Sequence, residues 1–208
     1  MANRTQAFLA GARAVLPILL GVVPFGLVTG AATVGIGVPL ASAIGMSLLV
    51  FAGASQLATV ELLGSQAPAL VIVATALIVN LRLSMYSASI APWFTHLPGR
   101  WKGLFAYLLT DQAYAVSITR FERDVPAHAR LSFYLGAACA LWVTWQIAFT
   151  VGAAGGGRVP ESWSLDFAVP LTLLALLPSS VGDRAALVTV VATAAASALA
   201  AGLPLNLG

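Results

Sequence analysis

Residues 14–60 read AVLPILLGVVPFGLVTGAATVGIGVPLASAIGMSLLVFAGASQLATV, without one Asp, Glu, Lys or Arg. This stretch decides the fold class. A helix needs roughly 20 apolar residues to cross a bilayer, so the window has room for two crossings. Its Ala, Leu, Val and Gly run continuously. A transmembrane β-barrel would instead show short alternating segments separated by turns. Further charge-free windows lie between Glu61 and Arg82, between Arg130 and Arg158, and after Arg184. The sequence therefore predicts an all-α, polytopic transmembrane helical bundle in a lipid bilayer.

Composition agrees. Of the 208 residues, 60% are hydrophobic and 8% are charged. Soluble domains carry about a quarter charged residues, and a chain of this length could not hide so much apolar surface from water. One transmembrane domain covering residues 1–208 is expected. Arg4 and Arg13 precede an apolar run in the manner of a signal peptide. Pro17 and Pro24 interrupt that run, however, and more apolar segments follow, so the expectation is a retained first span. The single Cys139 excludes an intramolecular disulfide and a cysteine-based metal cluster. The net charge of +3 comes from basic residues scattered over loops. That pattern is an orientation signal rather than a nucleic-acid footprint.

Seven apolar segments run near 12–33, 39–63, 68–93, 103–120, 131–154, 166–178 and 185–205. About six to seven membrane segments with proline- or glycine-broken helices follow from this. The sixth is too short to span alone. If all seven cross, Arg4, Arg13, Arg120, Arg123, Arg130 and Arg184 fall on the N-terminal side. Arg100, Lys102 and Arg158 fall on the other. The imbalance places the N-terminus in the cytoplasm, although one re-entrant segment would reshuffle the later loops.

The informative residues are the polar ones that lipid should reject. Arg82 lies mid-segment, at a cost of about 2.5–3.5 kcal/mol on insertion scales. It suits a carboxylate, because guanidinium offers a planar fork of donors. A structural ion pair is the plainer alternative. Asn80 sits near the same level. Asp111 is the natural counterpart: it can pair with Arg82, hold a substrate ammonium or carry a proton. In Phe51-Ala52-Gly53-Ala54-Ser55-Gln56, Gly53 lets the backbone leave helical geometry. Ser55 and Gln56 then offer polar groups, either as an unwound ligand-facing segment or as small-residue packing. Pro17 and Gly21-Val22-Val23-Pro24-Phe25-Gly26 form a third cluster, read as a cavity-lining interruption or as ordinary kinks. Pro170 and Pro178 mark the sixth segment in the same way.

Other residues carry less. Glu61 reads as interfacial, and Asp183 with Arg184 as caps of the last helix. Trp93, Trp101, Trp142, Trp145 and Trp163 mostly fit an aromatic belt. His96 and His128 form no metal-ligand pair. There is no Walker loop, His-Glu-x-x-His or Gly-x-Ser-x-Gly, so no enzyme, metal or cofactor is expected.

Taken in order and spacing, Pro17 through Gly26, Phe51 through Gln56, Asn80-Leu81-Arg82, Thr110-Asp111 and Leu203 through Gly208 resemble the AzlC-like family. That family is the large subunit of bacterial branched-chain amino acid exporters. Two departures stand out. Family members usually continue past the Asn-Leu-Gly ending, and the arginine is often followed by His where Leu83 stands here. The resemblance implies export of leucine, isoleucine, valine and methionine across the bacterial inner membrane. It also implies a small AzlD-like membrane subunit as partner. On that reading Arg82, or free amides near Gly53, serve the substrate carboxylate. Asp111, Gln56 and exposed carbonyls serve its ammonium, and Phe25 and Phe51 line an apolar pocket. Asp111 is also the candidate for proton coupling. A transporter or channel for another small solute, and a scaffold without its own flux, are the competing classes.

Overall fold

The computed structural model describes residues 3–123 and 125–156, with Val188 and Ala192. The expectations for Arg158, Trp163, Pro170, Pro178, Asp183, Arg184 and the 203–208 ending fall outside the described residues. Within them the chain is helical and contains no strand. The helices are α1 (Arg4–Ala14), α2 (Leu16–Gly35), α3 (Leu40–Leu49), α4 (Gly53–Gly64), α5 (Ala69–Ile90), α6 (Gly99–Tyr107), α7 (Asp111–Arg123) and α8 (Arg130–Gly156). Among the described residues, three stretches are long and apolar enough to cross a membrane: Leu16–Gly35, Ala69–Phe94 and Ala127–Gly156.

Prolines mark where helices begin. Pro39, Pro68 and Pro98 stand at the N-caps of α3, α5 and α6. There a missing N–H costs nothing, because first-turn N–H groups lack partners anyway. Helix α4 stops where Gln66 takes a positive φ of 56°. The Ala67 N–H then reaches Leu62 O at 2.9 Å and the Gln66 N–H reaches Leu63 O at 3.0 Å, a Schellman closure. Pro24 does not break α2, which runs through it.

Helices α1 and α2 run parallel to α8 and pack closely along it. Gly11 faces Phe133, Gly26 faces Ala148, Gly30 faces Phe149 and Ala153, and Gly156 faces Ala31, so contacts ascend together on both helices. The contact is reciprocal. A Cβ on Gly30 would collide with Phe149 O, and one on Gly152 with Leu27 O. Gly11 with Phe133 O and Gly136 with Phe8 O repeat the pattern nearer the N-terminus. Small residues spaced by four let helix backbones approach within lipid, where no hydrophobic force drives association. Gly30→Leu should therefore lower stability by about 1–3 kcal/mol, the usual cost of overpacking. Thermal melting of the detergent-purified protein checks this. Gly45→Leu is the control, since a Cβ there meets nothing.

The two middle segments do not follow the expected paths. Segment 39–63 is two half-helices, and its second half turns back. Gly53 lies against Phe25, whereas Gly64 lies against Ile36. Helix α4 thus ends at the level where α3 began. Segment 103–120 behaves likewise from the opposite end. Asp111 meets Arg82, Tyr114 stacks on Tyr86, and Phe121 reaches Trp93 and Phe94. Helix α7 therefore runs alongside α5 to the end that α6 left. Each segment is a hairpin dipping into the bundle, one from each end. The breaks fall at Val50-Phe51-Ala52 and Leu108-Leu109-Thr110, and neither contains a proline. Around them α5 exposes Leu70, Leu77, Ile78, Leu81 and Met85, an apolar outer face suited to lipid.

Candidate functional site

Both hairpin tips open onto one cavity of about 270 Å³. Its lining comes from Val22 and Phe25 of α2, Phe51 through Ala54 at the first tip, and Arg82 and Leu83 of α5. Leu109 through Gln112 at the second tip and Leu141 and Trp145 of α8 complete it. Ligand pockets for larger molecules run from roughly 300 to 1,000 Å³, so this one suits a small solute.

The first tip is a broken helix, and most of the carbonyls at the end of α3 are accounted for. Among the last carbonyls of α3, Met46 O accepts from the Val50 N–H at 2.9 Å. Ser47 O accepts from Gln146 Nε2 at 3.0 Å, and Leu48 O from the Tyr107 hydroxyl. Tyr107 belongs to the other hairpin and itself accepts from Trp142 Nε1 at 2.9 Å. Gln56 bridges the break by donating Nε2 to Val50 O. Ser55 donates to Ala52 O at 3.0 Å and accepts from Asn80 Nδ2 at 3.1 Å. No side chain caps the start of α4 at Ala52. Its first-turn N–H groups, at Gly53 and Ala54 on the cavity wall, form a ready anion site.

The second tip starts α7 conventionally, with Thr110 Oγ1 accepting from the Ala113 N–H at 3.2 Å. Asp111 in that first turn is favoured by the helix dipole. Its Oδ2 stands 2.6 Å from Arg82 Nη1. This is a single-point contact rather than the two-pronged fork available to the pair. Arg82 Nε and Asp111 Oδ1 are buried and have no hydrogen-bond partner among the described residues. About a third of each side chain remains accessible (39% and 33%) through its other atoms, so the pair borders the cavity while these two atoms are shielded from it.

Of the residues singled out in the sequence, Phe25, Phe51, Gly53, Arg82 and Asp111 line this cavity. Ser55, Gln56 and Asn80 stand behind the wall as braces of the broken helix. Gln56 Oε1 and Asn80 Oδ1 remain without partners among the described residues. Gly26 faces α8, where an added Cβ would lie 2.9 Å from that of Ala148. Trp145, grouped with the interfacial tryptophans, is instead 4% exposed and lines the cavity. Its neighbour Gln146, polar within a long apolar run, was the available signal.

Comparison with known proteins gives a consistent picture. The family described as "AzlC protein" matches residues 17–159, which include every lining residue. The chain is 22% identical over 182 residues to the inner membrane protein YgaZ of Escherichia coli K12, covering 85% of this chain and 74% of that one. An uncharacterized membrane protein of Helicobacter pylori is 35% identical over 101 residues, 49% of this chain and 44% of its own. One from Archaeoglobus fulgidus is 27% identical over 157 residues, 76% of this chain and 66% of its own. No solved structure matches significantly.

Proposed function

Because the chain belongs to the AzlC protein family, we propose that this membrane protein is the large subunit of a secondary transporter exporting branched-chain amino acids. The observation that carries the reading is the half-engaged Arg82–Asp111 pair beside the uncapped start of α4. A zwitterionic aliphatic solute needs a carboxylate partner, an ammonium partner and an apolar pocket. The Arg82 guanidinium and the Gly53 and Ala54 N–H groups supply the first, and the Asp111 carboxylate the second. Val22, Phe25, Leu109, Leu141 and Trp145 supply the third. A solute bringing one charge of each sign replaces the pair's mutual contact without leaving a net charge in a poorly solvated site, which would be costly.

Leucine, isoleucine, valine and methionine fit this chemistry. An ion gradient is the energy source, with proton entry coupled through Asp111. Substrate moves by rearrangement of the hairpins, with no covalent step. The small AzlD-like subunit is the partner, and the bacterial inner membrane the location. Orientation is supported by charge. Arg4, Arg13, Arg100, Lys102, Arg120, Arg123 and Arg130 share the half of the bundle that holds the N-terminus, and Arg82 sits at the cavity. Among the described residues the hairpin paths thus turn the mixed count of a seven-crossing chain into a one-sided one, which supports a cytoplasmic N-terminus.

Efflux of labelled leucine from vesicles carrying the chain with its small subunit tests the proposal. Leucine efflux driven by an imposed proton gradient is expected, with valine and isoleucine competing. Asp111→Asn should abolish the dependence on the gradient. Efflux of other solutes but not of leucine would overturn the substrate; an unchanged Asp111→Asn profile would overturn the coupling.

A further inference from the structure

We propose that Trp145 sets the upper size limit of the solute side chain, and that Gly53 allows the indole to stand where it does. The proposal deepens the amino acid reading above and rests on it.

The indole is fixed from behind. Trp145 Nε1 donates to Ser47 Oγ at 3.1 Å. Ser47 Oγ donates to Gln146 Oε1 at 3.0 Å, and Gln146 Nε2 donates to Ser47 O at 3.0 Å. Ser47, Trp145 and Gln146 are all buried, so this closed network holds the ring from α3 in an apolar setting. Breaking it would strand buried polar groups. The ring is also fixed from the front. Phe25 meets it edge-on, with centroids 5.4 Å apart at 67°. A Cβ on Gly53 would lie 2.6 Å from indole Cη2 and 3.0 Å from Phe25 Cε1. The indole therefore lies flush against the bare backbone of the first tip.

With the solute's charged ends held by Arg82, Asp111 and the start of α4, its side chain must enter the apolar remainder of the cavity. Val22, Leu109 and Leu141 there are aliphatic and carry no hydrogen bond that fixes a rotamer. Trp145 is bulkier and is locked on both sides. A pocket wall of this kind discriminates by exclusion, and each methylene is worth roughly 10- to 200-fold.

The test measures binding of labelled leucine, phenylalanine and alanine to the purified chain with its small subunit. The wild type is expected to bind leucine and to reject phenylalanine. Trp145→Leu should raise the phenylalanine-to-leucine affinity ratio by roughly 10- to 100-fold. Gly53→Ala pushes the indole into the cavity; it should weaken leucine about 10-fold more than alanine. Ser47→Ala removes the indole's acceptor and should relax selectivity in the direction of Trp145→Leu. A Trp145→Leu protein that binds leucine with an unchanged ratio overturns the size limit and leaves the amino acid reading standing. If that variant does not fold, equal weakening of leucine and alanine by Gly53→Ala overturns it instead. A wild type that binds none of the three overturns the amino acid reading and this proposal with it.

Discussion

Arg82→Ala should abolish solute binding and transport, with an affinity loss of at least about 30-fold, since truncating one member of a hydrogen-bonded charge pair at an interface costs about 2–5 kcal/mol. Here the loss falls twice: the solute loses its guanidinium, and Asp111 is left charged in an apolar bundle. The second effect destabilises by about 3–5 kcal/mol in fully buried pairs and by less in this partly accessible one, so the single variant still cannot separate function from folding. Two companions do. Arg82→Ala combined with Asp111→Ala removes both charges; it should recover most of the stability and none of the binding. Arg82→Lys keeps the charge but not the planar fork, so it should fold normally and bind about 10-fold more weakly or worse. Leucine binding and melting of the same preparations check all three. Wild-type affinity in the double variant would show that the pair is only structural.

The largest qualitative effect concerns the path of the chain. Ile36→Cys and Ser65→Cys, each with Cys139 replaced by alanine, should react with an impermeant thiol reagent from the outer side alone. His96→Cys and His128→Cys should react from the cytoplasmic side alone. A chain crossing at every apolar segment would alternate, putting position 65 inside and position 96 outside. The four positions are exposed in the fold, so labelling is all-or-none at each. Gly64 against Ile36, and Phe121 against Trp93, are the contacts that fix this expectation.

The sequence made the membrane legible and left the route hidden, for a physical reason. Lipid selects against charge, so the gap between Arg13 and Glu61 records immersion. It does not record direction, because a hairpin of half-helices is as apolar as a crossing helix. The breaks are also weakly signalled. Val50-Phe51-Ala52 has no proline, and Leu108-Leu109-Thr110 has neither proline nor glycine. What holds them open is tertiary: Gln56 on Val50 O, and Tyr107 on Leu48 O across 59 positions of sequence. Polar residues were legible as a set because each is costly in lipid, and Arg82 and Asp111 do meet. Which of them face the cavity was not legible. Asn80 lies two residues from Arg82 on the same helix, and a helix turns by more than half a circle over that interval. Trp145 was misplaced because a tryptophan in an apolar run looks the same at an interface and in a core.

The hairpins carry one more consequence. A rising helix, α2, is followed by a hairpin with arms of 10 and 12 residues. A falling helix, α5, is followed by one with arms of 9 and 13 residues. The second unit is the first turned upside down, although the two share little sequence. Such a pair need not be in the same shape at the same moment. If each unit adopts the shape the other has now, the new arrangement is related to the present one by an approximate two-fold axis in the membrane plane. An approximate symmetry between the two arrangements would favour similar energies for both.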